Sequence, residues 1–186
     1  MKKYLQAAPA IGVLSVFWVC TVFAGNNLLT NGGFEEGDLG QLGSVSIPGW
    51  HSWGDAGWHH NDAGRVIGSK GMKFWWDSCG LWQDYAAIPS ATYLYSIQVM
   101  DCSADTSAIN WNLQIEAEFY DAGHSAIVKT VLAVFDSSIE PDDAWVRISG
   151  AITAPAETAY GRVVLRLGNW RSGIGGAIYF DEVSVT

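Results

Sequence analysis

From residue 25 onward the chain is a succession of short segments in which apolar and polar residues alternate, separated by turns rich in Gly, Pro, Asn and Asp. No stretch there repeats apolar residues at helical spacing, so the pattern predicts strands with one face turned to a core. The clearest lies over 109–120. Ile109, Trp111, Leu113, Ile115, Ala117 and Phe119 share one face, and Asn110, Asn112, Gln114, Glu116 and Glu118 the other, predicting one core face and one wet face. Further strands are predicted over 71–77, 81–88, 92–101, 126–135, 144–153, 160–167 and 177–185, with turns at 121–123 and 173–176. That number of strands predicts an all-β chain folded as a two-sheet antiparallel β-sandwich. The stretch 32–70, with ten glycines and three tryptophans, reads as a long irregular loop.

The first 24 residues break the alternation. Lys2 and Lys3, an apolar run over 10–19 and a small-residue site ending in Ala24 predict a cleaved secretory signal, which leaves one domain over 25–186. The alternative is an uncleaved anchor, because the apolar stretch 7–24 approaches the roughly 20 residues of a spanning helix. Cleavage places the domain outside the cell or in the periplasm, with no membrane attachment. Losing Lys2 and Lys3 moves the net charge from −9 to −11, a field that repels nucleic acid, anionic lipid and polyanionic sugars. Neutral sugars and divalent cations suit it better. Cys79 and Cys102 remain after cleavage, and an oxidising compartment favours a disulfide between them. Pairing of 81–88 with 92–101 about the turn at 89–91 permits that bond. Strands in opposite sheets would carry it across the sandwich, and buried free thiols are the remaining alternative.

Tryptophan is abundant, with ten in the chain. A flat indole can stack on the apolar face of a pyranose as it does on other rings, although large aromatics also dominate cores. Trp111, on an apolar strand face, and Trp145 are expected in the core, and Trp50 leans the same way. Trp53, Trp58, Trp75 and Trp82 are the candidate platforms; Trp75 is expected to face outward because Met72, Phe74 and Trp76 share the more apolar face. Orienting a sugar also needs planar polar groups. Gln98, Asn112, Gln114, Glu116 and Arg166 fall on outward faces, Arg162 likewise, each also readable as ordinary solvated strand surface. His51, His59 and His60 with Asp55 and Asp62 lack the spacing of a zinc site and read as a polar loop.

The segments Asn27-Leu28-Leu29-Thr30-Asn31-Gly32-Gly33-Phe34-Glu35 and Tyr179-Phe180-Asp181-Glu182-Val183-Ser184-Val185 open and close the domain. Together with Gly80-Leu81-Trp82-Gln83-Asp84, Tyr93-Leu94-Tyr95-Ser96, Phe119-Tyr120-Asp121-Ala122-Gly123 and Ile152-Thr153-Ala154-Pro155-Ala156, their order resembles the carbohydrate-binding modules of the family 4/9/22 type, galactose-binding-like jelly rolls. The resemblance implies a structural calcium held by Glu35, Asp181 and backbone oxygen near Gly33, away from a sugar site on the concave sheet. Without an ion, Glu35 and Asp181 are a pair of surface carboxylates.

Nothing here forms a recognisable catalytic motif. The expected function is therefore a secreted non-catalytic module binding a neutral polysaccharide or glycan. The alternatives are an extracellular structural protein in which the sandwich self-assembles and, last, a small glycan-active hydrolase or lyase using acids such as Asp55, Asp62 or Asp77.

Overall fold

The structure is a computed structural model, and it describes residues 25–61, 66–75, 78–103, 112–136, 143–168 and 177–186. These form eleven strands: β1 Gly40–Gln41, β2 His51–Trp53, β3 Gly57–His60, β4 Gly71–Trp75, β5 Gly80–Ala86, β6 Thr92–Asp101, β7 Asn112–Tyr120, β8 Ala126–Asp136, β9 Val146–Thr153, β10 Tyr160–Gly168 and β11 Ala177–Val185. They build two antiparallel sheets, a six-stranded one in the order β1-β3-β4-β11-β6-β9 and a five-stranded one in the order β2-β5-β10-β7-β8. This is the expected all-β sandwich. The predicted strands 92–101 and 177–185 match β6 and β11 at both ends.

Alternation decides which residues meet between the sheets. Leu81, Tyr85, Leu113, Ile115, Phe119, Val163 and Leu165 of the five-stranded sheet face Met72, Phe74, Tyr95, Ile97, Val99, Ile178 and Phe180 of the other in one buried cluster. Each fully buried side chain of this kind contributes about 1.5–3 kcal/mol. Across the middle, the hydroxyls of Tyr85 and Tyr95 meet in a hydrogen bond.

The two ends of the domain are joined by hydrogen bonds. Asn27 Nδ2 donates to the Val183 carbonyl at 2.9 Å, and Asn27 Oδ1 accepts the amides of Leu29 at 3.1 Å and Val185 at 3.0 Å. Backbone bonds from Leu28 to Val185 and from Val183 to Gly32, both 2.9 Å, continue the seam. Gly32 permits this approach, because a Cβ there would lie 2.2 Å from the Val183 carbonyl oxygen.

Four expectations need correction. First, the stretch 32–70 is not one irregular loop, since β1, β2 and β3 lie in it. Its core is aromatic: Trp50, buried as expected, sits 5.2 Å from Phe34, whose ring meets Phe180 edge-on at 5.7 Å. Second, β5 and β6 do not pair as a hairpin; they lie in different sheets. Third, Cys79 and Cys102 form no disulfide, for Cys79 is in the central core while Cys102 packs beside Met100, Ala177 and Tyr179 in a separate cluster. Trp145 is half-buried in that second cluster. Fourth, the polar face of β7 is not wet. Asn112, Glu116 and Glu118 are all buried, because β7 runs between β10 and β8 and their long side chains cover it.

Candidate functional site

The outer face of the five-stranded sheet is built in cross-strand rows. Trp53 of β2, Gly80 of β5, Arg166 of β10 and Gln114 of β7 stand in one row. His51, Trp82, Val164 and Glu116 make the next, and Asp84, Arg162, Glu118 and Lys129 the third. Tyr160 and Tyr120 follow, and Asn112 pairs with Gly168 at the opposite end. The fold thus brings Trp53, Trp82, Asn112, Gln114, Glu116 and Arg166, on four different strands, to a single surface.

Each carboxylate of these rows meets a cation. Arg162 grips Asp84 with both ends of its fork, Nε to Oδ1 at 2.6 Å and Nη2 to Oδ2 at 3.1 Å. Arg166 Nε lies 2.9 Å from Glu116 Oε1, and Lys129 Nζ 3.1 Å from Glu118 Oε1. Part-exposed pairs contribute little stability, under about 1 kcal/mol each, but they fix planar donors and acceptors in place. Burial raises the pKa of Glu116, against the pull of Arg166. Gln114 Nε2 donates to Asn112 Oδ1 at 3.0 Å, so the two amides are held in one orientation.

The indoles differ in what they leave open. Trp82 is flanked by a stacked His51 at 4.1 Å from the β2 side and by the Arg162 guanidinium 3.7 Å from its ring centre from the β10 side. It faces outward as expected, but its ring flanks are taken by His51 and Arg162. Trp53 instead lies over Gly80, where a Cβ would come within 2.0 Å of the indole, and the nearest guanidinium, of Arg166, is 5.7 Å away. Half-exposed and backed by the sheet, Trp53 is the indole of this face that is not sandwiched between two neighbouring groups. Tyr120 and Tyr160 stack at 4.9 Å and 3°, with Arg162 5.1 Å from the Tyr120 ring. Such a surface can hold a chain of hydroxylated rings: apolar faces on Trp53, hydroxyls on oriented amides, carboxylates and guanidinia.

No protein-family model and no curated protein sequence matches this chain. Solved structures do. A family 16 carbohydrate-binding module is similar with a TM-score of 0.58 and 19% identity, over 86% of this chain and 99% of its own. A family 61 module solved with β-1,4-galactotriose gives 0.55 and 16%, over 87% and 99%. The xylan-binding CBM22-1 domain of Paenibacillus barcinonensis Xyn10C gives 0.58 and 15%, over 87% and 94%. The fold is a two-sheet jelly roll shared with these carbohydrate-binding modules.

Within this jelly roll the other nominated residues lie on the opposite sheet. Trp58 on β3 and Trp75 on β4 share the outer face of the six-stranded sheet, Trp58 exposed and Trp75 half-buried. Gln98 on β6 lines a polar cleft of about 380 Å³ with Ser96, Arg147 and Ser184. Alternation fixes a face within each strand but not which strands share a sheet, so the nine candidates fall on two surfaces. Trp76, Trp111 and Trp170, with Asp62 and Asp77, lie outside the described residues.

Glu35 and Asp181 converge on one short segment. Asp181, fully buried, accepts the amides of Val66 at 2.9 Å and Ile67 at 3.3 Å on Oδ2 and that of Glu182 at 2.8 Å on Oδ1. Glu35 accepts the amides of Ser69 and Lys70 and the Ser69 hydroxyl, at 2.9 to 3.1 Å. Burial pushes the Asp181 carboxyl up to about 6, only partly offset by its amide donors. Burial acts the same way on Glu35, yet the Ser69 and Lys70 donors and the Lys70 charge hold it below its ordinary value. A bulge in β11 between Asp181 and Ser184, with Glu182 in the left-handed region at φ 53°, aims this corner of the sheet at Gly33. Asp181 Oδ1 lies 3.9 Å from where a Cβ on Gly33 would stand. Among the described residues no three His, Cys, Asp or Glu side chains cluster as metal ligands, so a cation here would draw on backbone oxygens as well. Carboxylate and backbone oxygens are the donors a hard cation takes, and here each of the four carboxylate oxygens also accepts an N–H or O–H.

The histidines of the Gly-rich stretch serve three separate places. His51 stacks on Trp82, His60 meets Tyr179 edge-on at 5.1 Å, and His59 is buried with its ring nitrogens 2.8 Å from the Asp38 carbonyl and 2.7 Å from that of Phe34. Arg162, His51, Tyr120 and Tyr160 complete the five-stranded face beyond the nominated set. Arg162 stood on an outward position in the alternation; His51 belongs to a strand too short for alternation to register.

Proposed function

We propose that this chain is an exported, non-catalytic carbohydrate-binding module that takes a neutral glycan across the outer face of its five-stranded sheet. The observation that carries the reading is the assembly there of Trp53, Asn112, Gln114, Glu116 and Arg166 around oriented, ion-paired polar groups. The fold likeness to modules of families 16, 61 and 22 supports it. So does the net charge of −9, which favours uncharged sugars. Binding fits the face better than catalysis because its acids are engaged: Asp84, Glu116 and Glu118 each hold a cation. The leader pattern over 1–24 supports export. Isothermal titration with oligosaccharides of xylan, mannan, β-glucan and galactan checks the ligand class: heat with at least one is expected, and silence with all from a folded sample overturns the reading.

Calcium belongs to the same proposal. Glu35 and Asp181, with backbone oxygen near Gly33, would hold the ion, which would offset the cost of burying the Asp181 carboxylate and tie the segment 66–70 to β11. Adding calcium to chelator-treated protein is expected to raise the unfolding temperature by several degrees, and Asp181→Ala to abolish that response. An unchanged melt on calcium addition would remove the ion from the account. Assembly, the second reading, has one observation in its favour: Val131 and Val134 are exposed on β8, the end strand of its sheet. Sedimentation that stays monomeric at rising concentration would sink it.

A further inference from the structure

The six-stranded sheet carries an aromatic cluster that the site above leaves unused. Trp58 of β3 pairs with Lys73 of β4, and Lys73 with Tyr179 of β11, so the three stand in one outward row; Trp75, two residues further along β4, shares their face. Lys73 is buried, its ammonium 4.7 Å from the Trp75 ring centre and 5.4 Å from that of Tyr179. Next to it opens a cleft of about 300 Å³ lined by Leu39, Trp58, His60, Asn61, Lys73 and Trp75. Trp58 is 39% exposed at its mouth, the most open of the described tryptophans.

We propose that this cleft is a second sugar site, on the sheet opposite the first, that takes a terminal or branch residue of a neutral glycan. Its chemistry is that of pyranose recognition. Trp58 offers an uncovered indole for the apolar ring face. Lys73, its ammonium held beside the rings of Trp75 and Tyr179, sets a fixed positive charge in the cleft wall toward which sugar hydroxyl oxygens can turn, so little further ordering is needed. Asn61 adds an amide at the exposed rim. An anionic sugar is disfavoured by the net charge of −9. The volume, at the small end of the roughly 300–1,000 Å³ of ligand pockets, suits a chain end rather than a long chain. A module carrying both sites would bridge two glycan chains.

Indole N–H resonances of the full-length protein, assigned by single Trp→Phe variants and titrated with xylohexaose, mannohexaose, cellohexaose and galactotriose, separate this site from the first. The signals of Trp58 and Trp75 are expected to move with at least one sugar on a curve of their own, and Trp58→Ala to weaken that curve tenfold or more while leaving Trp53 and Trp82 unchanged. If Trp58 and Trp75 stay still with every sugar, the second site is overturned, whatever Trp53 and Trp82 do. Movement of Trp58 and Trp75 with protein concentration alone would mean that a second copy of the chain fills the cleft, and overturns it too. Response of Trp58 and Trp75 with Trp53 and Trp82 silent would uphold the second site and sink the first.

Discussion

The two sheets solve the same problem, an outer face with large aromatics, in opposite ways. On the five-stranded sheet the cations lie across the rows and cover rings: Arg162 spans Trp82, Tyr120 and Asp84, and charge is matched residue by residue. On the six-stranded sheet one lysine is sunk among the rings, and the outermost indole, Trp58, is left bare. A long ordered lattice suits a ligand that lies along it; a single deep cation beside one open ring suits a ligand that ends there. The difference is set by strand neighbours. β10 supplies two arginines four positions apart, Arg162 and Arg166, between Asp84 of β5 and Glu116 and Glu118 of β7, whereas β4 places Lys73 between Trp58 and Tyr179.

The comparison breaks most severely where the sheets touch. Tyr85 comes from the five-stranded sheet and Tyr95 from the six-stranded one, and burial drives the hydroxyl of each upward, Tyr95 to about 12 and Tyr85 further. A phenol near 10 when unfolded and higher when folded contributes stability that is whole below pH about 10 and is lost as pH rises through the folded value. For Tyr95 alone the loss is on the order of 3 kcal/mol by pH about 12. Tyrosinate absorbance is expected to rise for these two only together with loss of near-ultraviolet circular dichroism; ionisation of all tyrosines in a folded protein would contradict the packing.

A smaller effect tests the lattice itself. Arg162→Ala removes the fork on Asp84 and the cation over Trp82, at about 1–2 kcal/mol of stability and roughly tenfold in sugar affinity at the first site. Arg162→Lys is expected to recover little of the affinity, since an ammonium cannot reproduce the planar fork. The response of Trp58 and Trp75 to sugar is expected to stay unchanged in both. Affinity that is indifferent to Arg162 would mean that the lattice is structural only.

Trp53 and Trp82 sharpen the point within one face. Trp53→Ala is expected to weaken binding by about 5–30-fold, the equivalent of roughly 1–2 kcal/mol of lost stacking. Trp82→Ala should weaken it less, with the loss arising from released His51 and Arg162 rather than from a missing platform. The reverse order in calorimetry would show that the guanidinium swings away to uncover Trp82.

How much of this was legible beforehand follows from which forces are local. Alternation is local, so β6, β7 and β11, and the inward set Leu113, Ile115, Ala117 and Phe119, could be read from spacing. Sheet membership is not local. Nothing in the spacing of Gln98 or Trp58 says that their strands lie across the sandwich from Gln114, and so one imagined site divided into two surfaces. The burial of Glu116 and Glu118 escaped notice for the same reason, because their cover comes from Arg166 and Lys129 on neighbouring strands. β1 to β3 are not legible in this way because strands of two to four residues among glycines hold their shape by pairing, β1 with β3, β3 with β4 and β2 with β5, rather than by their own pattern.

The smallest expected effect concerns the link that would have joined the sheets covalently. Cys79 leads into β5 of one sheet and Cys102 follows β6 of the other, and they pack in different clusters, the central core and the outer group beside Met100. A disulfide between them would contribute about 2–4 kcal/mol, which in a domain of this size moves the midpoint of thermal unfolding by on the order of 5–10 °C on reduction. With no such bond in the structure, a strong reductant should leave that midpoint within about 1 °C. A drop of several degrees would require the two clusters to open and the sheets to shift until the sulfurs meet. That shift would move β5 under Trp53 and β6 beside Tyr179, so the indole resonances of both faces would report it at once.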